Sequence, residues 1–260
     1  MTTQRRRTGG IRLVHGSTQL HIDPGPGALV FSNWAGLSPQ SLNGLIVTHC
    51  HPDHYNDAEV FIEAMTHGTT SRRGVLAASR SVLHGVDDVG PSVSEYHKKL
   101  VESVVDLEPG VEFNVEQLKV KTIHAMHSDP SSVGVRVSVP KLGSIGYTSD
   151  TGYYPELSQS YRALRLLILC VMWPRNNPIK LHMCTDEAKT ILEEAKPGCA
   201  VLTHFGMRML NAGPEEEAEY LGGETGVPVV AARDGLKAVL GGEIRFIGPR
   251  KSDKVVTVDA

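Results

Sequence analysis

The stretch LIVTHCHPDH, residues 45–54, decides the interpretation of this chain. It opens with a compact apolar run, which predicts a buried strand. Directly after this run come His49, His51, Asp53 and His54. A loop at the end of the strand can direct His49 and His51 to one side and the other two residues to another. Imidazole nitrogens and carboxylate oxygens suit zinc, manganese or iron, so the stretch predicts a metal site.

Two metal ions need more ligands than this cluster supplies, and later parts of the chain offer them. Three further residues each follow a predicted strand, namely His127, Asp150 and His204. Taken alone, each of them would be an ordinary loop residue. Together with the first cluster they form a repeated pattern of metal-binding side chains at strand ends, which is typical of a dinuclear site.

Composition limits the classes of protein to which the chain can belong. Its 260 residues are 40% apolar and 21% charged, which is ordinary for a soluble globular protein and excludes a disordered or collagen-like chain. The formal charge of −3 is too weak to attract a polyanion over any distance. The longest apolar run, 164–173, is interrupted by Arg165 and is about half the roughly 20 residues that a membrane helix needs.

The four cysteines show no paired C-x-x-C spacing. Without that spacing or a secretory context, neither a disulfide scaffold nor a thiolate metal site is predicted. We therefore expect reduced thiols and a cytoplasmic protein. Three arginines, Arg5 to Arg7, lie in a segment that has no signal-peptide core after it, and we expect them to be solvated.

Patterns in the first half predict strands and one helix. Residues 11–14 and 19–22 predict a hairpin, because β-prone residues flank a Gly-Ser turn. The apolar residues of 58–65 recur at offsets of three, four and seven, which predicts an amphipathic helix. The segment 87–99 is polar and is expected to be an irregular surface insertion.

The second half predicts alternating strands and helices after a β-rich middle. Helices are expected at 155–164, at a segment for which Thr185 is the N-cap, and at 214–221. Two sheets, each with helices over one face, predict an α/β fold of four αββα layers. We expect a single domain over 11–250, with a flexible tail at 1–10 and a C-terminal tail at 251–260.

The pattern H-x-H-x-D-H, followed by His, Asp and His, resembles the metallo-β-lactamase superfamily. The motifs at 22–25, 146–152 and 202–206 support this resemblance, which spans residues 11 to about 240. The family implies a four-layer αββα sandwich with its site at one edge of the sheets. It also implies seven metal ligands: His49, His51 and His127 for one ion, Asp53, His54 and His204 for the other, and Asp150 bridging both.

Several residues could support these ligands. His124 competes with His127 because both could lie near the end of one strand, and we favour His127. The reason is that His127 and Ser128, followed by Gly134, resemble the corresponding segment of the ribonuclease Z and cyclic phosphodiesterase branch. Asp23 is expected to support a ligand rather than to bind metal.

His182 and Arg208 bear on the substrate. In the ribonuclease Z branch a similarly placed histidine contacts the substrate phosphate, and the segment THFGMR, residues 203–208, resembles the THFSxR of that branch. We assign substrate binding to both residues and catalytic roles to Asp53 and His182. Only 22 residues separate His127 from Asp150, too few for the tRNA-binding arm of ribonuclease Z, so the small cyclic phosphodiesterases are the better match.

The sequence therefore predicts a hydrolase with two divalent transition metals. Zinc is the favoured metal, and manganese and iron are the alternatives. The favoured substrate is a small or cyclic phosphodiester or a short nucleic acid. A lactone or thioester hydrolase and an arm-less tRNA 3′-processing endonuclease remain alternatives, because the same ligands would polarise a carbonyl group. We expect no membrane partner, and a homodimer is left open.

Overall fold

The computed structural model describes residues 5–8, 10–249 and 256–258, which group into two compact units. Unit 1 contains the described residues up to His124, together with Asp129–Val133. Unit 2 contains Ala125–Ser128 and the described residues from Gly134 onward. Each unit combines strands with helices, so the predicted α/β class is confirmed. The single-domain boundaries stay a prediction.

The strands of unit 1 include a five-stranded sheet and one further antiparallel pair. The sheet has the order β1-β2-β3-β4-β5, in which β1 and β2 are antiparallel and the later neighbours are parallel. Its strands are β1 (Ile11–His15), β2 (Thr18–Ile22), β3 (Gly44–Val47), β4 (Val75–Ser79) and β5 (Ser103–Leu107). The antiparallel pair β6 (Glu112–Val115) and β7 (Leu118–His124) follows.

The helices of unit 1 connect the parallel strands. They are α1 (Ala28–Trp34), α2 (Pro52–Tyr55), α3 (Ala58–Met65), α4 (Arg80–His84) and α5 (Glu95–Leu100). The predicted helix at 58–65 is confirmed as α3, and its buried residues are the ones whose spacing predicted it. They pack in one core with Leu45 and Val47 of β3, a strand that is buried along its whole length. That burial is what a parallel strand covered on both faces requires.

Unit 2 is built around parallel strands, with β8 antiparallel to β9 and the order continuing through β10 and β11 to β12. Its strands are β8 (Val133–Val139), β9 (Gly143–Tyr147), β10 (Leu166–Cys170), β11 (Cys199–Thr203) and β12 (Val229–Ala231). A separate antiparallel sheet contains β13 (Lys237–Leu240), β14 (Ile244–Ile247) and β15 (Val256–Val258). The helices are α6 (Leu157–Ser160), α7 (Thr185–Ala195), α8 (Met207–Ala212) and α9 (Pro214–Thr225).

The structure corrects three local predictions. The segment 87–99 is not irregular throughout, because it contains most of α5 and the fully buried Val93. The predicted helix at 155–164 shrinks to α6. Cys184, not Thr185, is the N-cap of α7: its thiol accepts the N3 backbone N–H, and Glu187 accepts the N–H of Cys184 at 2.8 Å.

Both predicted tails extend beyond the described residues. Residues 1–4, 9, 250–255 and 259–260 lie outside them, whereas 256–258 form β15 against β14. All four cysteines are buried and reduced, as predicted. Within the described part of the chain, no helix is long and apolar enough to cross a membrane.

Gly134 of β8 provides a test of the packing in unit 2. A methyl group at this position would meet the Tyr161 hydroxyl and would lie 2.8 Å from the carbonyl oxygen of Thr148. Because backbone atoms cannot yield as a flexible side chain can, we expect Gly134→Ala to lower the free energy of unfolding by about 1–3 kcal/mol. Urea unfolding followed by circular dichroism measures this change.

Gly223 supplies the matched control. It lies inside α9 with nothing within 4 Å of a methyl group. Gly223→Ala should therefore stabilise the protein by up to about 1 kcal/mol through helix propensity. Similar shifts for the two variants would contradict the close approach at Gly134.

Candidate metal centre

The candidate ligands of unit 1 lie directly after β3. Because β2 and β3 are parallel and paired in register, Ile22 opposite Ile46, the residues that follow each strand emerge side by side. Asp23 follows β2, and the cluster that begins at His49 follows β3. The His49 and His51 rings are 4.7 Å apart between centroids, and those of His49 and His54 are 4.1 Å apart. The cluster is therefore compact, as the sequence predicted.

Asp23 fixes the orientation of His54. The carboxylate is buried and accepts hydrogen bonds from the backbone N–H and the hydroxyl of Thr48, both at 2.8 Å. Its Oδ2 lies 2.8 Å from Nδ1 of His54. Since a carboxylate only accepts, Nδ1 carries the proton, and Nε2 is the nitrogen that can bind a metal ion. Asp23 thus contacts a candidate ligand through the ring nitrogen that would not bind metal, as expected of a supporting residue.

The same carboxylate orients His49 through Thr48. The Thr48 hydroxyl gives its single hydrogen to Asp23, so at 3.1 Å it accepts from Nδ1 of His49. This places the metal-binding lone pair of His49 on Nε2 as well. One buried carboxylate therefore selects the tautomers of two candidate ligands.

Asp129 holds the backbone of the cluster, a role that was not predicted from the sequence. This buried carboxylate accepts the N–H of Cys50 at 2.8 Å and the hydroxyl of Ser81. Burial and the charge of Asp129 raise the pKa of the Cys50 thiol to about 11. Cys50 is therefore a neutral thiol between two candidate ligands. The only sequence signal for Asp129 was its place in an Asp-Pro-Ser-Ser turn.

The candidate ligands of unit 2 gather around Asp150. Oδ2 of Asp150 lies 3.1 Å from Nε2 of His204, 3.8 Å from Nδ1 of His182 and 4.0 Å from Nε2 of His127. The donor atoms of Asp150, His182 and His204 all lie within 4.8 Å of one another. The carboxyl ends of parallel strands β9, β10 and β11 meet at this edge, which brings together residues that are far apart in sequence.

A carbonyl group orients His127. Nδ1 of His127 lies 2.9 Å from the carbonyl oxygen of Leu181. A carbonyl cannot donate, so Nδ1 is protonated and Nε2 is the nitrogen that can bind metal. Leu181 adopts a left-handed backbone with φ of 63°, an uncommon conformation for a leucine. This conformation aims the Leu181 carbonyl at His127.

His182 follows Leu181 at once and belongs to the same cluster. Its ring centroid is 4.8 Å from that of His127 and 5.9 Å from that of His204. The His182 side chain is 20% exposed, whereas that of His127 is 1% exposed. His182 therefore retains access to solvent beside the acidic group of the site.

Arg208 and His124 occupy other surroundings. Arg208 is exposed in α8, and its Cζ lies 4.2 Å above the Trp173 ring, a cation–π contact. Its role in substrate binding stays a prediction. His124 is the exposed last residue of β7 and is not part of any metal-binding group among the described residues.

The donor set fits divalent transition metals. Its members are imidazole nitrogens and carboxylate oxygens, the ligands that zinc and its neighbours prefer. His49, His54 and His127 also have the protonated Nδ1 and the rear hydrogen-bond partner that histidines bound to metal through Nε2 almost always show. An ordinary surface loop with incidental histidines would not need these buried partners.

The choice between His127 and His124 can be tested by metal content. We expect His127→Ala to lose most of its bound metal, because it removes a buried, oriented donor. His124→Ala, at an exposed strand end, should keep the metal content of the unmodified protein. Mass spectrometry of protein purified without chelator and reloaded with zinc gives both values. Equal losses in the two variants would show that the wrong histidine was chosen.

Comparison with known proteins agrees with this geometry. The model of the β-lactamase superfamily domain matches residues 18–205. An uncharacterised protein of Methanocaldococcus jannaschii is 39% identical over 247 residues, which cover 94% of this chain and 92% of that protein. A UPF0173 metal-dependent hydrolase of Thermoplasma acidophilum is 27% identical over 207 residues, 75% of this chain and 81% of the relative.

A solved structure has the same fold. The metallo-β-lactamase fold protein YhfI from Bacillus subtilis superposes with a TM-score of 0.72 at 18% identity. The match covers 89% of this chain and 91% of that one. The fold and the family predicted from the sequence are therefore confirmed. The chain belongs to the β-lactamase superfamily and has the metallo-β-lactamase fold.

Proposed function

We propose that the chain is a dinuclear phosphodiesterase that acts on small or cyclic phosphodiesters or on short nucleic acids. In this proposal His49, His51 and His127 hold one ion, and Asp53, His54 and His204 hold the other. Asp150 would be the ligand that the two ions share. Two such ions would activate water and neutralise the charge that develops on the phosphoryl oxygens.

The position of His182 carries the proposal. The seven ligands implied by the family complete both ion sites without it, yet Nδ1 of His182 lies 3.8 Å from Oδ2 of Asp150. This leaves a partly exposed imidazole at the site that can donate a hydrogen bond or a proton. A phosphodiester presents non-bridging oxygens that accept such a bond and a leaving alkoxide that needs a proton. A thioester expels a thiolate, which departs without a proton, and a lactone has one carbonyl oxygen to be bound where a phosphodiester has two non-bridging oxygens.

The short connection between His127 and Asp150 favours a small substrate over tRNA. Most of it is taken up by β8 and β9, which pair directly from Val139 opposite Gly143. The turn between them is Pro140–Leu142, so no arm projects from this hairpin. An arm-less tRNA-processing enzyme would have to hold its substrate elsewhere.

Metal analysis combined with a substrate panel tests the proposal. We expect two transition-metal ions per chain after reloading with zinc or manganese. The reloaded protein should hydrolyse bis-p-nitrophenyl phosphate, and a lactone and an acyl thioester should react far more slowly. One ion per chain after reloading with either metal would exclude the dinuclear site. Preferred turnover of the lactone or thioester would support the acyl-hydrolase alternative instead.

His182→Ala tests the role of the imidazole. We expect both metals to stay bound and turnover of an alkyl phosphodiester to fall roughly 10²- to 10⁴-fold, the range for a positioned acid or base. If His182 protonates the leaving group, a p-nitrophenyl ester should lose less, because p-nitrophenolate departs with little help. If His182 only binds phosphate, both esters should lose alike.

The metal content of this variant tests whether His182 is itself a metal ligand. Loss of an ion in His182→Ala would identify His182 as a ligand together with Asp150 and His204. If His182→Ala hydrolysed both esters as fast as the unmodified protein, the position of His182 would no longer support the phosphodiesterase proposal.

A further inference from the structure

An exposed aromatic surface lies in unit 1 beside the segment 48–57, which carries candidate ligands and is here called the metal-binding loop. Trp34, the last residue of α1, is 73% exposed. Its ring centroid is 5.4 Å from that of Phe31, at an interplanar angle of 63°. Cζ of Arg7 stacks 3.8 Å above the Phe31 ring and lies 5.8 Å from the Trp34 ring. We call Arg7, Phe31 and Trp34 the aromatic platform.

The platform adjoins the candidate ligand Asp53. A methyl group at Gly25 would meet the carbonyl oxygen of Asp53 and would lie 2.6 Å from that of Thr8, so the backbones at these three residues are in contact. Arg7 precedes Thr8, which places its Cα about 3.8 Å away. The platform therefore begins one residue from a segment that touches the metal-binding loop.

The first turn of α1 is also tied to that loop. The Asp57 carboxylate, three residues after His54, accepts the N–H of Gly27 at 3.2 Å and that of Leu29 at 3.0 Å. The Phe31 ring lies over Gly27, because a methyl group there would be 3.1 Å from Cε2 of that ring. From Ala28 to Trp34, α1 advances about 9 Å. The exposed indole is thus held at a short, fixed distance from the loop.

The chemistry of the platform matches an aromatic base attached to a phosphate. An exposed tryptophan beside a phenylalanine and an arginine is a stacking surface for nucleobases. The exposed Arg5 and the half-buried Arg6 add local positive charge, in a chain whose net charge is −3. An alkyl phosphodiester would make no use of such a surface.

We propose that the aromatic platform binds the nucleobase of the substrate, so that the substrate class is a nucleoside-containing phosphodiester. The inference rests on the proposed phosphodiesterase function and narrows it. In this arrangement the base stacks on Trp34 while the phosphodiester reaches the metal-binding loop beside Asp53. Trp34 determines specificity and takes no part in bond cleavage.

Kinetics on two diesters test the inference with zinc-loaded protein. One diester is the methyl ester of adenosine 5′-phosphate, and the other is glycerophosphoethanolamine, which has no aromatic ring. We expect Trp34→Ala to lower the ratio of kcat/KM for the nucleoside ester to that for the alkyl ester by about 5- to 100-fold, the range for loss of one stacked base. Trp34→Phe should restore most of the ratio.

Tyr96 provides the control. It is an exposed aromatic residue on α5, 58% exposed, and lies outside the platform and the candidate ligands. Tyr96→Ala should leave the ratio unchanged. A ratio in Trp34→Ala within twofold of the unmodified protein would overturn the inference.

Binding of adenosine 5′-monophosphate separates this inference from the proposed function. We expect calorimetry to show that Trp34→Ala raises the Kd for adenosine 5′-monophosphate about 5- to 100-fold. The Kd for glycerol 3-phosphate should stay the same. This binding measurement can be made even if neither diester is hydrolysed. Absence of hydrolysis would refute the proposed phosphodiesterase function and leave the binding role of the platform to be judged by the Kd values. An equal Kd for adenosine monophosphate in both proteins would overturn the platform alone. So would light scattering that shows a dimer converted to a monomer by Trp34→Ala, since Trp34 would then lie between two copies of the chain.

Discussion

Hydrogen bonding to the buried carboxylate of Asp23 is the interaction on which the orientation of the candidate ligands His49 and His54 depends. It receives hydrogen bonds from the Thr48 backbone and hydroxyl and from His54. A buried charge is costly unless it is fully hydrogen-bonded, and bonds to a charged group contribute about 1.5–3 kcal/mol each. The pairing of β2 with β3 positions these donors. The energy of folding therefore also selects the tautomers of His49 and His54.

Unusual backbone conformations occur at the candidate ligands of both units, among other places in the described part of the chain. Asp23, Ser149, Leu181 and His204 have positive φ without being glycine. Residues in such conformations persist only where the surrounding contacts impose them. Each lies at or next to a candidate ligand or its support. At Leu181 the consequence is direct, because the conformation delivers a carbonyl group to His127 and leads into His182.

The residues around Asp150 differ in their exposure to solvent, and this difference suits different chemical roles. Asp150 and His127 are buried and oriented by the fold, which suits ligands that must not move during turnover. His182 lies on the long connection between β10 and α7 and keeps contact with solvent. A group that must meet and release a substrate is better placed on such a connection than on a strand.

The sequence by itself determined the class of fold, the family and the set of candidate metal ligands. It could do so because H-x-H-x-D-H concentrates the ligands in a few residues, and because the buried strand and the helix spacing around that motif are local patterns. The supporting role of Asp23 was expected from the sequence, but only the tertiary structure decided that it contacts His54 and Thr48. Only the tertiary structure also decided that Asp129 supports the cluster, that a carbonyl group orients His127, and that Trp34 is exposed on α1. These facts depend on contacts between segments far apart in the chain, which no local pattern encodes. The corrected N-cap at Cys184 has the same origin, since the surrounding packing selects which of two adjacent residues begins the helix.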